Sequence, residues 1–250
     1  MKINILASGS TGNCIFIESG GTGVLIDAGL PKTRIEKRLI DAGISPTDIA
    51  AICITHAHAD HVKGLPLANK YRIPVHATDG EWKAISGVDE ELQLPIQKVF
   101  GKYEAIWLDG LHLYPFQTHH DAYEPVGYAV EDDAGNRCCV VLDTGHIDQE
   151  MLEMMEGSIY IVEANHEPAM VEASAYPLSV QARILSDIGH LSNEQTAVAL
   201  KRLVRGRGER IYLTHLSSNN NTPALARATV EMALMDKGLV AGRHYELEVV

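Results

Sequence analysis

The sequence predicts a four-layered α/β sandwich, two sheets packed together with helices outside them. Short apolar runs bounded by turn residues recur along the chain, and a strand-rich block carrying one or two helices occurs twice. The 46% hydrophobic content of 250 residues supplies a substantial core. With no linker or low-complexity tract, residues 1–250 read as a single domain.

Each element follows from local pattern. "INIL" (3–6), "CIFIE" (14–18) and "GVLIDAG" (23–29) are strands separated by glycine-rich turns. "PKTRIEKRLIDAG" starts on proline, carries Ile35, Leu39 and Ile40, and closes on Gly43, which predicts a helix. "AAICIT" (50–55) is a short buried strand, and "HVKGLPLANKYR" is a helical turn leading to a strand at "IPVHAT". Strands follow at "LHLYPFQT" (111–118), "VGYAVED" (126–132) and "RCCVVLDTG" (137–145), then a helix at "DQEMLEMMEG" (148–157) and a strand at "SIYIVEAN" (158–165). "SVQARILSD" and "NEQTAVALKRLV" are helices, the second capped by Asn193 and ended by Gly206. "RIYLTHLS" (210–217), "PALARATVEMALMDKG" and "HYELEVV" complete the chain as strand, helix and strand.

Composition narrows the function classes. A net charge of −12 argues against a protein that coats nucleic acid along its whole surface, while leaving room for a local site that grips phosphate. The basic run "KRLVRGRGER" (Lys201, Arg202, Arg205, Arg207, Arg210) suits a helix end, with contact to a polyanion backbone as the alternative. Cys14, Cys53, Cys138 and Cys139 form no C-x-x-C pair, so reduced, mostly buried thiols are expected. No apolar run approaches the roughly 20 residues that span a bilayer. The N-terminus turns polar after six residues, so no membrane partner and a cytoplasmic location are expected.

The 12 histidines are the anomaly. "ITHAHADHVKG" places His56, His58, Asp60 and His61 directly after an apolar strand. Side chains alternate in an extended segment, so His56, His58 and Asp60 share a face, and a turn brings His61 toward it. Buried imidazoles and a carboxylate without partners would cost several kcal/mol, whereas the same groups suit zinc, manganese or iron. Polar groups also stand where later apolar strands stop: His119 and His120 in "FQTHHDAYEPVGY", Asp143 in "VVLDTGH", and His215 in "IYLTHLS".

Together with the aspartate of "LIDAG", these motifs resemble the metallo-β-lactamase superfamily, whose fold is an αββα sandwich. The branch they resemble most is the YycJ/WalJ type, through "LASGSTGNC", "THHDAYEPVGYAV", "EANHE", "YPLSVQARILSDIGHLSN" and "LTHLS". A weaker likeness runs to ribonuclease Z and to the PhnP phosphodiesterases. The resemblance implies two divalent ions (Zn, Mn or Fe), one on His56, His58 and His120, the second on Asp60, His61 and His215, with Asp143 bridging both. Asp27 would orient the ligand loop.

Two such ions, about 3.5–4 Å apart, would share a hydroxide as nucleophile and take the phosphodiester oxygens. Asp60, His190 and Glu163 are the expected catalytic residues. His190, in "DIGHLSNEQTA", would be general acid or phosphate clamp, with Glu163 orienting it. Ser10 and Asn13 in the glycine-rich turn, His166 and Arg183 are expected to bind substrate, with Ser8 a further candidate in that turn. His76, His112, His146 and His244 lack ligand spacing and are expected to be structural.

The resemblance implies a 5′-to-3′ DNA exonuclease. A small-molecule hydrolase, either a cyclic phosphodiesterase or a thioesterase like glyoxalase II, is the alternative. A non-catalytic carrier would show a broken ligand set, and a β-lactam hydrolase would carry cysteine where Asp143 stands.

Overall fold

The computed structural model describes all residues, 1–250. The chain divides into two compact units, residues 1–116 with 122–136, and residues 117–121 with 137–250.

Unit 1 is built on a six-stranded sheet whose spatial order is its chain order. Its strands are β1 (Lys2–Ala7), β2 (Cys14–Ser19), β3 (Thr22–Ile26), β4 (Ile49–Cys53), β5 (Val75–Thr78) and β6 (Gln93–Ile96). The first three form an antiparallel meander; β3 through β6 run parallel. The parallel strands are apolar on both faces, with Ile52, Cys53 and Val75 fully buried. Each Ile, Leu or Val side chain so buried contributes about 1.5–3 kcal/mol.

A two-stranded hairpin follows, β7 (Lys98–Val99) and β8 (Lys102–Tyr103), then β9 (Ile106–Leu108), β10 (Leu111–Gln117) and β11 (Val126–Asp132). Four helices connect these strands: α1 (Lys32–Asp41), α2 (Ala59–Val62), α3 (Pro66–Tyr71) and α4 (Asp79–Trp82). Helix α1 buries Ile35 and Leu39 four residues apart, and Gly43 just past its end takes φ +73°, as a left-handed stop requires. Ile40, the third apolar residue of that segment, is 64% exposed, because it falls outside the Ile35–Leu39 stripe.

Unit 2 carries four parallel strands, β12 (Arg137–Val141), β13 (Ile159–Glu163), β14 (Glu209–Thr214) and β15 (Tyr245–Val249), neighbours in that order. Its helices are α5 (Gln149–Met154), α6 (Pro168–Glu172), α7 (Leu178–Ile184), α8 (Asn193–Leu203) and α9 (Pro223–Met235). Helix α8 is capped by Ser192, not Asn193. The Ser192 hydroxyl accepts from the Gln195 N–H while the Gln195 side chain accepts from the Ser192 N–H, a reciprocal capping box. The helix ends at Leu203, before the expected Gly206. The basic run is answered nearby: Lys201 pairs with Asp236, Arg205 with Glu156, and Arg202 donates to Gln149.

All four cysteines are free and buried, and burial pushes their thiols far above the ordinary range. No helix is long and apolar enough to cross a membrane.

Candidate metal centre

In unit 1 the donors come from one turn. Strand β4 ends at Cys53, the chain bends at Thr55 and again at His58, and α2 follows at once, bringing His61 beside His56 with ring centroids 4.0 Å apart. His56 Nε2 lies 3.0 Å from His58 Nδ1. That is close to the spacing of two imidazoles sharing one ion at bonds of about 2.0–2.1 Å.

Asp27 organises the turn from behind. It follows β3 directly, is fully buried, and holds φ +61°, a left-handed conformation costing a non-glycine residue about 1–2 kcal/mol. Its Oδ1 accepts the Thr55 N–H at 2.8 Å. Its Oδ2 accepts the Thr55 hydroxyl at 2.8 Å and faces His61 Nδ1 at 2.7 Å. A His61 N–H donating there leaves Nε2 as the ligand atom, with Asp60 Oδ2 3.8 Å from it.

Gly29, from the same "LIDAG" stretch, lets the ligand turn approach: a Cβ there would meet Asp60 O at 1.6 Å. Asn13 is 1% exposed; its Oδ1 accepts the Gly9 N–H, which braces the turn, and its Nδ2 stands 3.0 Å from His61 Nε2. Ser10 is exposed in the same turn.

In unit 2 the donors converge from five stretches of chain. Parallel register pairs Val141 with Val162 and Glu163 with Thr214, so Asp143, Glu163 and His215 stand at the C-terminal ends of three adjacent strands. Asp143 (φ +50°) and His215 (φ +54°) are left-handed there, like Asp27. His215 Nδ1 lies 2.5 Å from Asp143 Oδ1 and 3.2 Å from Glu163 Oε2. His190, from the loop before α8, brings Nδ1 to 3.0 Å from Glu163 Oε2. Donor atoms of Asp143, Glu163, His190 and His215 all fall within 4.8 Å of one another.

Of the two adjacent histidines, His120 joins this group, with Nε2 3.8 Å from Asp143 Oδ2 while its Nδ1–H donates to Gly189 O. His119 turns away to Asp148 at 2.7 Å and stacks on His146, with centroids 3.9 Å apart and planes 12° from parallel. A single ion cannot lie in both planes of such a stack. His146, set aside in the sequence, thus has a partner, and donor atoms of His119, His146 and Asp148 lie within 4.8 Å of one another.

The electrostatics fit a divalent cation. Burial opposes protonation of His215, yet Asp143 and Glu163 raise its pKa to about 10. Burial would raise Glu163 as well, but His190 and His215 bring it down to about 2. Two buried carboxylates favour positive charge: a protonated His215 supplies it in the metal-free protein, and a divalent cation bound there would replace that proton, with the imidazoles then serving as neutral donors. Nitrogen and carboxylate oxygen are the ligand types of zinc, manganese and iron.

Glu163 is fully buried; its Oε1 accepts the Thr144 and Leu191 N–H groups and its Oε2 faces His190 Nδ1, the orienting contact expected of it. Arg183 is committed to Asp121 by two bonds, Nε at 2.6 Å and Nη2 at 2.9 Å. His166 is 2% exposed, and burial lowers its pKa to about 4, so it faces the interior as a neutral ring.

The model of the metallo-β-lactamase superfamily matches residues 7–215. The chain belongs to that superfamily. It is 33% identical to exodeoxyribonuclease YycJ of Bacillus anthracis, over 99% of this chain and 94% of the relative. Exodeoxyribonuclease WalJ of Streptococcus pneumoniae is 34% identical, over 98% and 93%. Among solved structures, the metallo-β-lactamase fold protein YhfI of Bacillus subtilis superposes with a TM-score of 0.71 at 12% identity, covering 99% of this chain and 95% of that one. The fold is therefore the α/β fold of the superfamily, as the sequence motifs implied, and the protein is a metal-dependent hydrolase.

Proposed function

We propose that this hydrolase is a 5′-to-3′ DNA exonuclease carrying two divalent ions. The observation that supports this most is the near-full-length similarity to two exodeoxyribonucleases. The proposed ligands are His56, His58 and His120 for one ion, Asp60, His61 and His215 for the other, and Asp143 for both. Divalent ions held there supply an activated water and neutralise charge on the phosphodiester.

The chain's own residues do the rest. Glu163 anchors His190 through Nδ1, leaving the opposite ring edge for the reaction. The His190 side chain is 14% exposed, whereas those of Asp143, Glu163 and His215 are at 0–3%. That makes His190 the group that reaches a bound substrate, and its role is to donate a proton to the leaving oxygen. DNA is the proposed partner, reached through this site rather than through the −12 surface. The proposed location is the cytoplasm.

A substrate panel with manganese or zinc tests the reading: 5′-phosphorylated single- and double-stranded DNA, RNA, bis-(p-nitrophenyl) phosphate and S-lactoylglutathione. Stepwise release of nucleotides from the 5′ end of DNA is expected. Activity confined to the small esters would replace the proposal with a small-molecule hydrolase. Asp143→Ala should lower kcat on DNA by at least about a thousandfold, as loss of ion-based charge stabilisation demands. An active Asp143→Ala variant would remove this residue from the ligand set.

A further inference from the structure

Glu81 is a buried carboxylate that the catalytic scheme leaves unused. It lies in α4, is 0% exposed, and forms no ion pair that would explain its charge. A carboxylate in that position is expensive unless each oxygen is satisfied. Both are satisfied by backbone. Oε2 accepts the Ala57 N–H at 2.7 Å, and Oε1 accepts the Glu124 N–H at 2.6 Å. Ala57 is the residue between His56 and His58.

The surrounding contacts close a small frame. The Val126 N–H donates to Thr55 O at 2.9 Å, tying the 124–126 stretch to the start of the ligand turn. Glu124 returns the favour to α4, its Oε2 accepting the Gly80 N–H at 2.9 Å, and Lys98 neutralises its other oxygen at 2.8 Å. Asp27 holds the same turn two residues earlier, at Thr55. The turn is therefore clamped by two carboxylates from two different elements, at Thr55 and at Ala57.

We infer that Glu81 is a positioning residue for metal binding, fixing the backbone between His56 and His58 so that both imidazoles present their nitrogens to one ion. The inference rests on the proposed ligand assignment of His56 and His58. An acceptor bound to the Ala57 N–H fixes the His56–Ala57 peptide plane, which sets the Cα–Cβ direction of His56 directly and the path of the chain into His58. Charge on the acceptor strengthens the bond beyond that of a neutral amide.

Zinc affinity and stoichiometry, measured by competition with a chromophoric chelator, test this in the full-length protein, together with the visible spectrum of the cobalt(II)-substituted form. The expected result for Glu81→Ala is a loss of about 10–100-fold in affinity for one zinc of two, with an altered cobalt spectrum. Glu81→Gln, which keeps one acceptor but turns an NH2 toward the other N–H, should fall between Glu81→Ala and the parent, and carries the test if Glu81→Ala does not fold. Val88→Ala, a core change in the same unit, controls for general destabilisation and should bind zinc as the parent does. Glu81 variants that fold and bind zinc within twofold of the parent, with an unchanged spectrum, would overturn the inference. So would an equal loss in Val88→Ala. A parent protein that binds no zinc or cobalt would overturn the metal-centre assignment itself, and the inference with it.

Discussion

Unit 1 draws four donors from six consecutive positions, His56 to His61, whereas unit 2 draws His120, Asp143, Glu163, His190 and His215 from five separate stretches. Both units use buried carboxylates, but differently. In unit 1 the work is divided: Asp27 holds Thr55 and His61, and Glu81 holds Ala57. Either can be lost while the other keeps part of the turn in place. In unit 2 one carboxylate joins two of the histidines: Glu163 takes the Thr144 and Leu191 N–H groups on one oxygen and faces His190 and His215 with the other, while His120 is held by Gly189 O. The turn of unit 1 thus has two separate supports, whereas His190 and His215 of unit 2 share Glu163.

That contrast sets an order of effects. Glu163→Gln should do the most damage, because an amide cannot satisfy two N–H donors on one side and two imidazoles on the other. A loss near the top of the usual range for residues that orient metal ligands, roughly 100-fold in zinc affinity, is expected. Asp27→Asn should cost less, about tenfold, since Glu81 still holds the turn and an asparagine oxygen can still accept one of Asp27's bonds. Parallel chelator competition on the two variants measures this. Equal losses, or the reverse order, would break the contrast.

The same difference explains what could be read from the sequence. The His56–His61 group was legible because its spacing is local and a strand precedes it. Asp143 and His215 were legible as polar residues ending apolar strands, a pattern that parallel register turns into adjacency. The residues alone do not separate His119 from His120, since they are neighbours; the family resemblance chose His120, and their three-dimensional partners differ, Asp148 for His119 and Gly189 O for His120.

Glu81 carried no signal at all, since a glutamate in "TDGEWK" looks like any surface residue until its two backbone donors, 24 and 43 positions away, are in place. Strand β6 was missed because Pro95 interrupts its pattern, which an edge strand tolerates. The Ser192 cap was readable, in contrast: Ser-x-x-Gln announces it, and Asn193 drew attention only by lying nearer the apolar run.

The smallest effect concerns Arg183, and it sharpens the account of unit 2 at its surface. The guanidinium is about half exposed and bonded twice to Asp121, whose Oδ1 lies 3.2 Å from His120 Nε2. If this pair only steadies Asp121 beside His120, Arg183→Ala removes an exposed ion pair. Unfolding free energy should then fall by no more than about 1 kcal/mol, and the salt dependence of DNA binding should not change. If the arginine also reaches a phosphate, the slope of log affinity against log salt should shrink by about one contact, uniformly across DNA sequences. The bidentate geometry favours the first outcome, because two of the arginine's donors are already aligned on a carboxylate that a phosphate would have to displace. Titrating binding of the proposed DNA substrate at four or five salt concentrations, parent against variant, decides whether this arginine contributes a phosphate contact.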